Sequence, residues 1–156
     1  MSEINYTAAK KVFAKIDAYL KSKNWKYDTD TDQLQFTYSV GGDDLPMRFT
    51  LLVDAERELI RLISFLPFNF DEDKRVDGAI AVCIANYEMV DGCFGFDIQS
   101  GTLYHRLAVP YKDNEITDDH IQYIMGLGMA MVDKYNDRFF ALNKGFIDIA
   151  GFLKKK

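Results

Sequence analysis

The sequence predicts an α+β fold built on an antiparallel sheet, with element order α-β-β-β-β-α-β-β-α(α). Three observations carry this expectation. Runs of strand-like alternation follow one another across short polar turns, and helical stripes open, interrupt and close the chain. Nowhere do strands and helices alternate one by one, as a doubly wound sheet requires. No internal repeat or low-complexity linker divides the chain, so residues 1–156 are expected to form one α+β domain.

Ala9, Val12, Phe13, Ile16, Tyr19 and Leu20 recur at three- and four-residue steps, which predicts an amphipathic helix over roughly residues 5–22. Trp25 and Tyr27 mark a short strand, and Leu34, Phe36, Tyr38 and Val40 alternate with polar residues through a longer one. Gly41-Gly42-Asp43-Asp44 turns the chain into a second alternation, Leu45, Met47, Phe49, Leu51 and Val53. Pairing Val40 with Leu45, Tyr38 with Met47 and Phe36 with Phe49 puts every apolar residue on one face. From Leu59 to Phe65 both parities are apolar, as in a strand covered on two sides, so the register of this fourth strand stays open.

Asp71-Glu72-Asp73 offers an N-cap and first-turn acids to a second helix reaching about Tyr87, with Val76, Ile80, Cys83, Ile84 and Tyr87 as its stripe. Phe94, Phe96 and Ile98, then Leu103, His105, Leu107 and Val109, make a hairpin around Ser100-Gly101. Ile98 is expected to face Leu103, Phe96 His105 and Phe94 Leu107, with Asp97 diagonal to Arg106 as a surface ion pair. Thr117 before Asp118 and Asp119 caps a helix running through Ile121, Ile124, Met125, Gly128, Val132 and Tyr135. Phe139, Leu142, Phe146, Ile149 and Leu153 keep helical spacing up to the Lys154–Lys156 tail.

Composition narrows function. With 19 Lys and Arg against 24 Asp and Glu, the net charge of −5 suits neither a broad phosphate-neutralising surface nor nucleic acid, and the helix-one lysines Lys10, Lys11, Lys15 and Lys21 read as a solvated face. No segment approaches the roughly 18 apolar residues of a membrane span and the N-terminal stretch lacks an apolar export segment; a cytoplasmic protein with no membrane partner is expected. Cys83 and Cys93 lack CxxC spacing or a nearby His and are expected as buried, reduced thiols. Asp28, Asp30 and Asp32 imitate the start of a calcium loop, but Gln33 stands where Gly is needed and Ser39 where Glu is needed; no metal and no cofactor are expected. The two histidines, His105 and His120, lie in different elements without a neighbouring nucleophile.

The informative segment is Ile121 to Val132, in which Gln122 is the one conventional polar side chain. A helix lying on a sheet needs a single apolar stripe, so Tyr123, Leu127 and Ala130 form a second one that must meet either the C-terminal helix or another subunit. Met125, Met129 and Met131 add adaptable surface. Gly126 and Gly128 suggest a neighbour packed against the helix backbone.

Asn86, Phe94-Gly95-Phe96-Asp97-Ile98, Gly101-Thr102-Leu103-Tyr104-His105-Arg106 and Val132-Asp133-Lys134-Tyr135 resemble the YbjN-type family of bacterial sensory transduction regulators, and the element order fits that family. The resemblance implies the fold of type III secretion chaperones, which are small acidic cytosolic homodimers that bind segments of client proteins and catalyse nothing. It carries over no catalytic residue. The apolar C-terminal extension through Phe152 departs from the pattern.

The expectation is therefore a non-enzymatic, cytosolic protein-binding or chaperone-like regulatory module, homodimeric, with an unknown protein client. Tyr123, Leu127, Met129 and Met131 are the candidates for self-association, and Trp25 and Tyr38 for client contact. The alternative is a small-molecule sensor or enzyme with a pocket around Asp97, His105 and Arg106, helped by Tyr104.

Overall fold

Asn5 opens the first helix, α1 (Tyr6–Ser22), by accepting the Ala8 N–H on its side chain at 3.0 Å. The computed structural model describes residues 4–154, so Lys155 and Lys156 of the expected tail lie outside the described residues. Six strands follow: β1 (Asp28–Asp30), β2 (Gln35–Gly41), β3 (Pro46–Asp54), β4 (Leu59–Asn69), β5 (Cys93–Asp97) and β6 (Thr102–Pro110). They form one antiparallel sheet in the order β1-β2-β3-β4-β6-β5. A 3₁₀ turn, Glu72–Lys74, leads into α2 (Arg75–Glu88), and α3 (Asp118–Asn143) and α4 (Ile149–Leu153) close the chain. The expected α+β class and element order are the observed ones.

Trp25 and Tyr27 precede the first strand instead of forming it; the strand is the acidic Asp28–Asp30, held against Gln35–Thr37. Both hairpins keep the expected parity but slip by two residues. Val40 pairs with Met47, Tyr38 with Phe49 and Phe36 with Leu51, while Phe96 pairs with Leu103 and Phe94 with His105. A two-residue slip leaves each side chain on its face, so burial cannot distinguish the registers. Loop chemistry does. The Asp43 N–H donates to the Asp133 carboxylate at 3.0 Å, holding residues 42–45 as a longer loop. At the other hairpin, Asp97 accepts the Gln99 N–H and the Ser100 hydroxyl, and Gly101 turns at φ +75°. Asp97 therefore pairs with Thr102, and Arg106 sits opposite Cys93 with no ion pair to Asp97.

All four helices lie on one face of the sheet. The inward parity carries Phe36, Phe49, Leu51, Ile60, Leu62 and Leu103, all at most 1% exposed, and α1 and α3 cover its first half. Removing each such side chain from water contributes about 1.5–3 kcal/mol. Gly128 sits where a Cβ would collide with Leu62, so half of the expected close approach holds; Gly126 faces open space. The second half of the core joins α2, α3 and α4: Phe94, Tyr135, Phe139 and Phe152 stack around Phe70 and Leu103.

Three further expectations are corrected. The stripe Val76, Ile80, Cys83 and Tyr87 faces solvent, because α2 buries Gly78, Ala81, Val82 and Ala85; the small residues let the Phe70 and Phe96 rings lie against the helix. Cys83 is thereby exposed, not buried, and Cys93 is half-buried; both thiols are free. Strand β4 is covered on one side: Ile60, Leu62, Ser64 and Leu66 are buried, while Leu59, Arg61 and Ile63 are half-open and Phe65 is 59% exposed. Finally, Thr117 caps α3 as expected, with His120 completing a capping box by accepting the Thr117 N–H at 3.1 Å, and the last apolar stripe splits after Asn143. Gly145, at φ +72°, ends the helix there, and Asp148 caps the short α4.

Candidate functional site

Strand parity decides whether the hairpin polar groups can form a pocket. His105 points inward and is fully buried against Phe94, with ring centroids 5.2 Å apart, and neither ring nitrogen has a partner among the described residues. Burial in this apolar setting pulls its pKa down to about 4, so the ring is neutral at pH 7. Tyr104 and Arg106 point to the opposite face, where the Arg106 Nε donates to Cys93 Sγ at 3.3 Å. Asp97 is in the turn, its carboxyl held below the usual range first by the Ser100 hydroxyl. The four residues of the alternative pocket do not converge.

Other polar groups are used locally. Asp30 accepts the N–H groups of Asp32 and Gln33, closing the turn that imitates a calcium loop. Among the described residues, no group of three or more His, Cys, Asp and Glu side chains is placed to hold a metal ion. A cleft of about 390 Å³ between the 42–45 loop and α3 is lined by Asp43, Asp133 and Arg138, among others. The Tyr135 phenol donates to Glu88 at 2.9 Å, and burial followed by that carboxylate raises its pKa to about 12. No helix among the described residues is long and apolar enough to cross a membrane.

The residues singled out for binding are placed unequally. Trp25 is half-buried and meets the Tyr38 ring edge-on at 5.2 Å, so the structure brings these two together. Tyr38 itself is 2% exposed beneath it, stacked on Phe49, and burial raises its hydroxyl pKa strongly. On α3, Tyr123 is 50% exposed, with its hydroxyl donating to Asp91, while Leu127, Met129 and Met131 are half-buried. Leu127 and Met129 pack on the α1 side of the core, and α4 seats on Tyr135 and Phe139 further along the helix. The C-terminal helix thus leaves Tyr123 uncovered.

Two apolar surfaces escaped the sequence reading. One is the α2 stripe, ending in Tyr87 at 92% exposure with Val90 just beyond it. The other is the bare outer face of the sheet, where Phe65 and Tyr104 form a cross-strand pair with ring centroids 5.4 Å apart, beside Leu52 and Ile63. Its signal was the double-parity apolar run of β4, read as two-sided burial.

The residues that carried the resemblance meet in one place. Asn86 clasps the backbone of Phe94, Tyr104 lies over Gly95, Gly101 packs its backbone against Phe70, and Tyr135 meets Phe94 edge-on at 5.7 Å. The motif is the joint between α2, β5, β6 and α3. Comparison with known proteins agrees. No curated protein matches the sequence. Among solved structures, a chain of the ExsC-ExsE complex is 15% identical, with TM-score 0.56 over 83% of this chain and 93% of that chain. A chain of the HopA1-SchA chaperone-effector complex is 16% identical, with TM-score 0.49 over 92% of this chain and 99% of that chain. The ExsC-ExsE likeness bears out the type III secretion chaperone-like fold. The profile of the YbjN family, described as "Putative bacterial sensory transduction regulator", matches residues 13–141, from the middle of α1 almost to the end of α3. The chain belongs to the YbjN family.

Proposed function

We propose that this chain is a non-enzymatic, chaperone-like regulator that binds other polypeptides, works in the cytoplasm as a homodimer, and uses residues 1–156 as one domain. The observation that carries the reading is the contrast between its surfaces. Most polar side chains serve turns, caps and edges, whereas the α2 stripe and the apolar patch of Phe65, Tyr104, Ile63 and Leu52 on the outer sheet face have no cover among the described residues. Exposed apolar area of this kind marks protein interaction sites.

The α2 stripe is the better surface for self-association. Val76, Ile80, Cys83 and Tyr87 follow one another at four-, three- and four-residue steps on one side of a helix, so a second copy can pack the same stripe against it. The half-open Tyr123, Leu127, Met129 and Met131 of α3 take a secondary part. Client contact belongs to the outer sheet face, with Trp25 as a further contact supported from below by Tyr38. The fold shared with a chain of the ExsC-ExsE complex and the family description support the reading by analogy.

The test is photo-crosslinking in native cytosol from a photoreactive side chain at Phe65, with the exposed turn residue Glu56 as control. Discrete polypeptide adducts at 65 and none at 56 are expected. Equal labelling at both positions, or none at either, contradicts the reading.

A further inference from the structure

The centre of the outer sheet face is cationic in an anionic protein. Its parity on β3, β4 and β6 carries Arg48, Arg61 and Arg106 against the single carboxylate of Asp54, although the chain as a whole has a net charge of −5. Asp54 neutralises Arg61 at 3.2 Å. Arg48 and Arg106 make no ion pair among the described residues and are exposed. Their positions are informative. The Ser64 hydroxyl donates to the Arg48 carbonyl, and Thr50 pairs with Ile63, so Arg48 lies beside Phe65 on the neighbouring strand. Arg106 lies two residues beyond Tyr104 on β6 and pairs with Ile63. Two guanidiniums without a carboxylate partner thus flank the Phe65–Tyr104 ring pair, across roughly 10 Å of sheet, the Arg106 Nε alone being engaged, by Cys93 Sγ.

We propose that this face binds a short acidic stretch of a partner polypeptide, held extended, seating an apolar side chain on Phe65 and Tyr104 and carboxylates on Arg48 and Arg106. This rests on the protein-binding reading and names the chemistry of its client. Planar guanidiniums take carboxylates bidentately, and the rings supply the apolar contact that exposed ion pairs alone lack. A second copy of the same face is disfavoured, because a two-fold contact would bring arginines against arginines. A polyphosphate fares no better: Asp28 and Asp30 border the face on β1 and Asp97 borders it on β5, repelling a long anion while sparing a short one at the centre.

Fluorescence anisotropy on the full chain tests this. The probe is a labelled twelve-residue peptide carrying Asp-Gly-Phe-Gly-Asp between Gly-Ser flanks, so that its ring and carboxylates share one face when extended; its Lys-for-Asp counterpart, a single-stranded oligonucleotide and anionic phosphatidylserine vesicles are comparisons. Saturable binding of the acidic peptide alone is expected, weakened about tenfold by Arg48→Glu with Arg106→Glu and also weakened by Phe65→Ser, with the melting transition unchanged. Arg48→Gln with Arg106→Gln serves if the charge reversals disturb folding, and should show a smaller loss. Equal binding of the Lys peptide, tighter binding of oligonucleotide or vesicles, or indifference to both arginine pairs overturns the proposal. If the acidic peptide fails to bind while position 65 still captures polypeptides in cytosol, the acidic preference falls and protein binding stands. If position 65 captures none, the protein-binding reading falls as well.

Discussion

Asn86 holds both backbone groups of Phe94: its Oδ1 accepts the Phe94 N–H at 2.7 Å and its Nδ2 donates to the Phe94 carbonyl at 3.0 Å. A side-chain amide here does what a further strand would do for β5, one of the two edge strands of the sheet. An open edge is a template for unwanted pairing, and this clasp closes it near its start while fixing α2 to the sheet.

Asn86→Ala should therefore destabilise the fold by about 1–3 kcal/mol, the cost of leaving two half-buried backbone groups without partners. Urea unfolding measures the loss, and amide exchange at Phe94 should accelerate more than at Phe36 in the far core. Unchanged exchange at Phe94 would mean that the clasp is dispensable.

The two glycines of α3 should respond in opposite directions. Gly126→Ala meets nothing within 4 Å and gains helix propensity, raising stability by up to about 1 kcal/mol. Gly128→Ala drives a methyl group into Leu62 and lowers stability by about 1–3 kcal/mol despite the same propensity gain. Thermal melts of the two variants side by side check the contrast.

His105 sets an acid limit. Its folded pKa of about 4 lies below the ordinary 6.5, so the native state favours the neutral ring; that contribution is complete above pH 6.5 and is lost as pH falls toward 4. The difference corresponds to about 3 kcal/mol. The carboxyls of Asp17 and Asp54, lowered from 3.8, act in a more acidic range. A His105→Phe variant should lose less stability than the parent between pH 6.5 and 4. Parallel urea-midpoint profiles for the two proteins would contradict this.

Most of the fold was legible because burial writes parity into the chain. Helix α1, the N-cap at Thr117 and the inward residues of β2 and β3 stand where periodicity puts them. Registers were not legible, since Asp43 reaching Asp133 and Asp97 reaching Ser100 lengthen the two hairpin loops without altering parity. The surfaces are not legible for one reason: an apolar stripe does not say whether it is buried. In α2 the small residues Gly78, Ala81 and Ala85 make the tighter contact and leave the larger ones outside. In β4 the outer parity, ending in Phe65, faces solvent. His105 was correctly expected on the apolar parity, and that same parity separates it from Arg106 and dissolves the alternative pocket.

The central claim is that the exposed apolar stripe of α2 exists to meet another protein surface, a second copy of this chain first of all. Light scattering of the purified protein across a hundredfold concentration range tests it most directly. The account predicts a particle of twice the 17.9 kDa chain mass at micromolar concentrations, reduced to one chain mass by Ile80→Glu with Tyr87→Glu at an unchanged fold. A parent protein that remains at 17.9 kDa at every concentration would contradict it.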